Sequence, residues 1–171
     1  MATPFIYKIN LFKMKNVNFY KNLNGTEVHI ENLSSLLIKI KNGVWKTQID
    51  EIRNLLDENE KLKASELKRK LPAFTTSGTF RERRKKDCID SYSGLIQLDY
   101  DKIEDVLTLK QRIIEIPFTY SAFISPSGNG LKVIINTDAV IETHTDTFNE
   151  IRAYYDGKVG YESDKSVKDV T

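Results

Sequence analysis

The chain has 171 residues, 40% of them hydrophobic and 29% charged, with a net charge of +2, which suits one core of domain size. No apolar run approaches the roughly 20 residues that cross a bilayer, and residues 1–10 lack the basic-then-apolar order of an export signal. A single cysteine, Cys88, excludes an internal disulfide framework, so the composition points to a cytoplasmic protein with no membrane partner.

Residues 5–12 alternate enough apolar side chains to predict a strand, and Asn22-Leu23-Asn24-Gly25 is a turn signal. Leu33, Leu36, Leu37 and Ile40 form one stripe and predict a helix over 33–40. Ile49, Ile52, Leu55 and Leu56 predict a second. A third helix is expected over about 64–70, with Ser65 as its cap. It should end at Leu71, because Pro72 pushes the preceding residue out of the helical region. Between Lys61 and Lys86 stand ten Lys or Arg against two Glu, a local balance of +8 that leaves −6 for the rest of the chain. Within this span Phe74 to Phe80 reads as a loop with aromatic ends. Next come Arg81, Arg83, Arg84, Lys85 and Lys86, a basic run suited to the phosphates of a single-stranded nucleic acid, or to a solvated face.

The second half carries a clearer pattern. Strands are expected over 95–101, 120–125, 131–136 and 158–164. Helices are expected from about Ile103 to Ile114 and from His144 to Tyr155. The resulting β-α-β-β-α-β order is the ferredoxin-like arrangement also used by RNA-recognition folds. The fold class is therefore α+β: residues 1–90 form a strand-and-helix extension and residues 91–171 an RRM-like sheet. In that topology the first strand is central, and its end faces the start of the third at Lys132 and of the fourth near Glu162 and Asp164.

Asp99 and Asp101, two apart on a strand, share one face. Paired carboxylates repel unless a cation lies between them, and Mg²⁺ or Mn²⁺ is the fitting partner. The alternative is a solvated strand end with Asp101 capping the next helix. Ser125-Pro126-Ser127-Gly128-Asn129-Gly130-Leu131-Lys132 is a turn whose serines, glycine amides and lysine suit phosphate oxygens, or an ordinary hairpin turn. Clamping two metals about 4 Å apart needs a third carboxylate. Asp164 is preferred over Glu162 and Asp169. His29 and His144 form no ligand pair, and Cys88 reads as a half-buried strand-edge residue.

Leu95-Ile96-Gln97-Leu98-Asp99-Tyr100-Asp101 resembles the first motif of archaeo-eukaryotic primases and primase-polymerases, and the run from Ser125 to Lys132 resembles their second. With Lys70-Leu71-Pro72-Ala73-Phe74, Ser77-Gly78-Thr79-Phe80 and Ser93-Gly94, the pattern is similar to one bacterial branch. That branch is the primase-like domain preceding virulence-associated-E type helicases in mobile elements and phages. The resemblance spans residues 7–171. It implies the archaeo-eukaryotic primase fold and template-directed nucleotidyl transfer on single-stranded DNA in plasmid, phage or mobile-element replication. Asp99, Asp101 and Asp164 would hold Mg²⁺ or Mn²⁺. Ser125, Ser127, Gly128, Gly130 and Lys132 would hold the nucleoside triphosphate, and a helicase domain or subunit would be a partner. Most of the superfamily has histidine where this chain has Lys132, which keeps open a catalytically inactive nucleotide- or single-strand-binding module. Residues 166–171 look like the start of a segment that relatives continue.

Overall fold

A computed structural model describes residues 15–170; the strand expected over residues 5–12 lies outside them. The chain opens with β1 (Asn16–Tyr20), which pairs antiparallel with β2 (His29–Asn32) across the expected turn, where the Gly25 amide donates to Asn22 O at 3.0 Å. Helix α1 (Leu33–Lys41) follows at once, capped by the Asn32 side chain accepting the Ser35 amide at 3.3 Å. Helices α2 (Lys46–Asp57) and α3 (Lys61–Lys70) pack as a hairpin around Ile52, Ala64 and Leu71. Pro72 ends α3 as expected. The helix starts earlier than its apolar stripe suggests, however, and Ser65 lies inside it rather than capping it.

The stretch read as a loop from Phe74 to Phe80 is largely strand. β3 (Ala73–Phe74) joins β1, and β4 (Gly78–Phe80) pairs with β5 (Ile89–Tyr92). Its polar composition concealed burial: Thr75, Thr76, Ser77 and Thr79 are all nearly inaccessible to water. Buried hydroxyls are tolerated when they are bonded. Thr75 Oγ1 donates to Gly78 O at 2.7 Å and accepts the Asn18 amide at 3.1 Å.

The main sheet contains β6 (Leu95–Tyr100), β7 (Thr119–Ile124) and β8 (Leu131–Asn136), antiparallel in the order β6-β8-β7. The register sets Asp99 opposite Lys132 and Tyr100 opposite Leu131. Alternation gives each strand two faces. Ile96, Leu98, Tyr100, Val133 and Ile135 pack under α4 (Val106–Ile114) and α5 (His144–Val159) in the larger core. On the other face Leu95 and Ile134 pack against Val17, Leu33 and Leu36. The first half of the chain thus covers one end of that face and leaves the end bearing Gln97, Asp99 and Lys132 polar.

Two expectations fail here. There is no strand over 158–164 among the described residues, so β8 is central in the sheet and β6 lies at an edge. The α5 stripe of Phe148, Ile151 and Tyr155 continues to Val159, and the helix stops at Gly160, which takes the left-handed conformation at φ 72°. Burial of Val159 and Ser163 mimics a strand's alternation. Among the described residues this segment forms one rung beside β6, the Asp164 amide donating to Asp99 O at 2.8 Å. The overall class is nonetheless α+β with antiparallel sheets, and no helix among the described residues is long and apolar enough to cross a membrane.

Candidate functional site

The polar end of the main sheet collects side chains from both halves of the sequence. Asp99 projects from β6 with its side chain 17% exposed. Its Oδ2 accepts Lys132 Nζ at 2.5 Å from the neighbouring strand, and its Oδ1 accepts Gln97 Nε2 at 2.9 Å. Gln97 Oε1 in turn accepts Thr76 Oγ1 at 2.6 Å. A carboxylate this enclosed is costly to leave unpaired; its two partners fix its charge balance and orientation, and Thr76 holds Gln97 in place. Asp101 lies just past β6 and is exposed. It does not cap α4; Asp105 does, accepting the Thr108 amide at 3.0 Å. Lys102 then takes a left-handed φ of 56° that turns the chain away from the strand.

The turn between β7 and β8 closes against this strand end. A Cβ on Gly130 would lie 2.8 Å from Tyr100 O and 3.1 Å from Asp101 Oδ1, so only glycine allows the approach. The amides of Ser125 and Gly128 bond within the turn, to Gly130 O at 2.8 Å and Ser125 O at 2.9 Å. Ser125 Oγ and Ser127 Oγ are 3.0 Å apart. The expected outward ring of amides is therefore partly consumed by the turn. A residue that the sequence reading missed reaches its outer face: Arg53 of α2 donates to Pro126 O at 3.3 Å and Ser125 O at 3.4 Å, and covers Gly128. No local signal marks Arg53. Gln97 was visible in principle, sharing the Leu95–Gln97–Asp99 face by period two.

The backbone leading to Asp164 is held by a hub at Asp156. Its Oδ1 accepts the Tyr100 hydroxyl at 2.9 Å and the Ser163 amide at 3.1 Å, while Arg152 lies 3.4 Å from Oδ2. Burial and the Asp156 charge push the Tyr100 hydroxyl pKa well up, so it stays a donor. The hub brings the Asp164 backbone to Asp99. The Asp164 side chain, however, accepts the Ser166 amide at 2.8 Å and Ser166 Oγ at 2.7 Å. These bonds, with lesser help from Arg152 and Lys132, hold its carboxyl below the usual range. Glu162 and Asp169 are exposed.

Among the described residues no three His, Cys, Asp or Glu side chains stand together as a ligand group. Mg²⁺ commonly takes only one or two protein carboxylates and completes its shell with water and phosphate. Asp99 and Asp101 fit one such ion by donor chemistry. A second ion would require Asp164 to give up its cap, a cost of about 1 kcal/mol.

The basic run lies elsewhere, at the tip connecting β4 and β5. Arg81 pairs with Asp90 at 3.1 Å and Arg83 with Asp87 at 3.7 Å, while Arg84 donates to Leu23 O at 3.2 Å. Cys88 is half-buried in the short 3-10 turn Lys86–Cys88, just before β5. His144, the first residue of α5, is buried with Nδ1 2.6 Å from the Tyr92 hydroxyl.

The fold and this sheet-end site define an α+β domain with a polar strand terminus closed by a glycine turn. A family model, BT4734-like, N-terminal domain, matches residues 66–171. The chain belongs to that family, and the matched span includes Asp99, Asp101, Lys132 and the turn but not Arg53. No curated protein and no solved structure matches the chain.

Proposed function

We propose that the chain is a primase-like nucleotidyltransferase domain. It would extend short nucleic acids on a single-stranded DNA template, with the sheet end as its nucleotide site and the wider archaeo-eukaryotic primase superfamily as its relatives. The observation that carries the reading is the register pairing of Asp99 with Lys132 beside a glycine turn packed onto Asp101. A bound Mg²⁺ or Mn²⁺ would supply positive charge against the triphosphate. The chain's own part is positional. Lys132 exchanges its partner from Asp99 to a phosphate oxygen, the Ser125 and Ser127 hydroxyls donate to the same group, and Gln97 keeps the Asp99 carboxylate oriented. Positioning and charge neutralisation supply most of the acceleration in phosphoryl transfer.

The present pairing favours a second reading. Lys132 occupies one Asp99 oxygen and Asp164 is committed to Ser166, as suits a module that holds nucleotide or single-stranded nucleic acid without turnover. One experiment separates the two: incorporation of labelled nucleotides on single-stranded DNA with Mg²⁺ or Mn²⁺, for wild type and Asp99→Ala/Asp101→Ala. Product that falls about 100-fold or more in the variant supports the transferase. Nucleotide binding lost in the variant, with no product from either protein, supports the module.

A further inference from the structure

A concave surface lies on residues other than those of the Asp99 site. A cleft of about 420 Å³ runs between the end of β1 with its turn and the last turn of α3, lined by Lys21, Asn22, Asn24, Glu66, Arg69 and Lys70. It is a built feature: the Leu23 amide donates to Arg69 O at 3.1 Å, locking the turn onto the helix. Arg84 joins the basic loop to the same turn by donating to Leu23 O.

The charges in the cleft differ in their commitments. Lys21 is paired with Glu27 at 3.1 Å. Arg69 and Lys70 are exposed, and their side chains make no ion pair or hydrogen bond among the described residues. Both sit in the last turn of α3, where cations are favoured by the helix dipole. Arg84 has a different character. Its guanidinium carbon lies 4.6 Å from the centroid of the Tyr20 ring, and Tyr20 itself is buried. The guanidinium is thus held over an aromatic ring while the residue remains exposed. A fixed cationic plane is a surface on which nucleobases stack.

We propose that this cleft, with Arg84 beside it on the same turn, is a binding site for single-stranded nucleic acid, with Arg69 and Lys70 holding backbone phosphates and Arg84 stacking a base. An acidic peptide would use the two helix cations but has no counterpart for the plane. The inference rests on the preceding reading for the kind of polymer, and on nothing catalytic. It places a strand-binding surface on β1, α3 and the loop tip, built from side chains other than those of the Asp99 site.

The test is anisotropy of a labelled thymidine oligonucleotide of about 12 nucleotides, within the usual span of such sites, across a salt series. Arg69→Glu/Lys70→Glu should weaken binding at least about tenfold and reduce the salt slope by about 1 to 2. Arg84→Lys should keep the slope yet lose several-fold in affinity, because it keeps charge and loses the plane. The charge-matched control Lys110→Glu/Lys158→Glu, on α4 and α5, should bind as wild type. Equal binding by Arg69→Glu/Lys70→Glu and wild type overturns the proposal, as does equal loss in the control. An equally tight interaction with a polyglutamate peptide overturns the choice of partner. Oligonucleotide binding through the cleft without nucleotide incorporation would sink the transferase reading and leave the cleft standing. Incorporation with binding unchanged in the cleft variant would do the reverse.

Discussion

The two halves of the molecule are built on different scales. The second has a sheet of six-residue strands over a core that includes Leu98, Tyr100, Leu109, Phe148 and Tyr155, all essentially inaccessible. The first has strands of two to five residues and a helix hairpin closed over Ile52, Ala64 and Leu71. The acids and Lys132 stand on the larger frame, where their backbone is held on a packed sheet. The smaller region supplies the groups that brace their surroundings, Thr76 on Gln97 and Arg53 on the Ser125–Pro126 carbonyls, and carries the exposed basic run. A rigid frame holding charge and a lighter layer adjusting around it is a division that substitutions can test.

The largest effect should come from truncation in the sheet core. Leu98→Ala removes a fully buried side chain and should cost about 3 to 5 kcal/mol, lowering the melting temperature of the entire chain. Ile52→Ala, also fully buried, should cost about 2 to 3 kcal/mol. Its signature should be local: faster hydrogen exchange in α2 and α3 with β6 and β8 still protected. Uniform loss of protection would erase the distinction between the halves.

Gly130→Ala should follow, at about 1 to 3 kcal/mol, because the added methyl meets the Tyr100 carbonyl of the packed sheet. Nucleotide affinity, measured by titration, should fall further than stability does, since the turn must lift from Asp101.

A pH effect links the two halves. Burial, helped by the Lys86 charge and opposed by Asp169, holds the His144 pKa below its ordinary value. Burial pushes the Tyr92 hydroxyl up to about 12, so Tyr92 keeps its proton and favours a neutral imidazole beside it. The folded state therefore binds this proton less readily than the unfolded chain does. The contribution is full above about pH 6.5 and is lost as pH falls toward the lowered folded value. Melting temperatures at pH 7.5 and 5 should diverge more for wild type than for His144→Gln.

The smallest effect is the sharpest probe. Arg53→Ala should leave the melting temperature nearly unchanged and raise KM for nucleotide about tenfold, roughly 1.4 kcal/mol. An unchanged KM would restrict the site to the sheet.

Residues with strong periodicity were legible in advance. β8 and the α1 stripe follow from it, and the Asp99–Lys132 opposition follows from strand order alone. The stop of α3 follows from proline sterics. The strands between Ala73 and Tyr92 were hidden because their buried hydroxyls are satisfied by backbone groups of Gly78 and Asn18 and by Gln97, which composition does not report. The segment after Val159 misled because alternating burial does not require a ladder. Arg53 was invisible because its role arises wholly from a contact with a turn 72 residues away.

That separation also has a consequence in time. A chain synthesised at roughly 5 to 20 residues per second exposes Arg53 roughly 4 to 14 s before Ser125 exists. The core of the α2–α3 hairpin is drawn from residues 45–71, so its own packing partners are all made early; β6 and its acids come next, and the turn follows them. The guanidinium must wait in solvent for its carbonyls. Closure of the clamp is therefore a late event in the birth of the molecule, set by the order in which its parts are made.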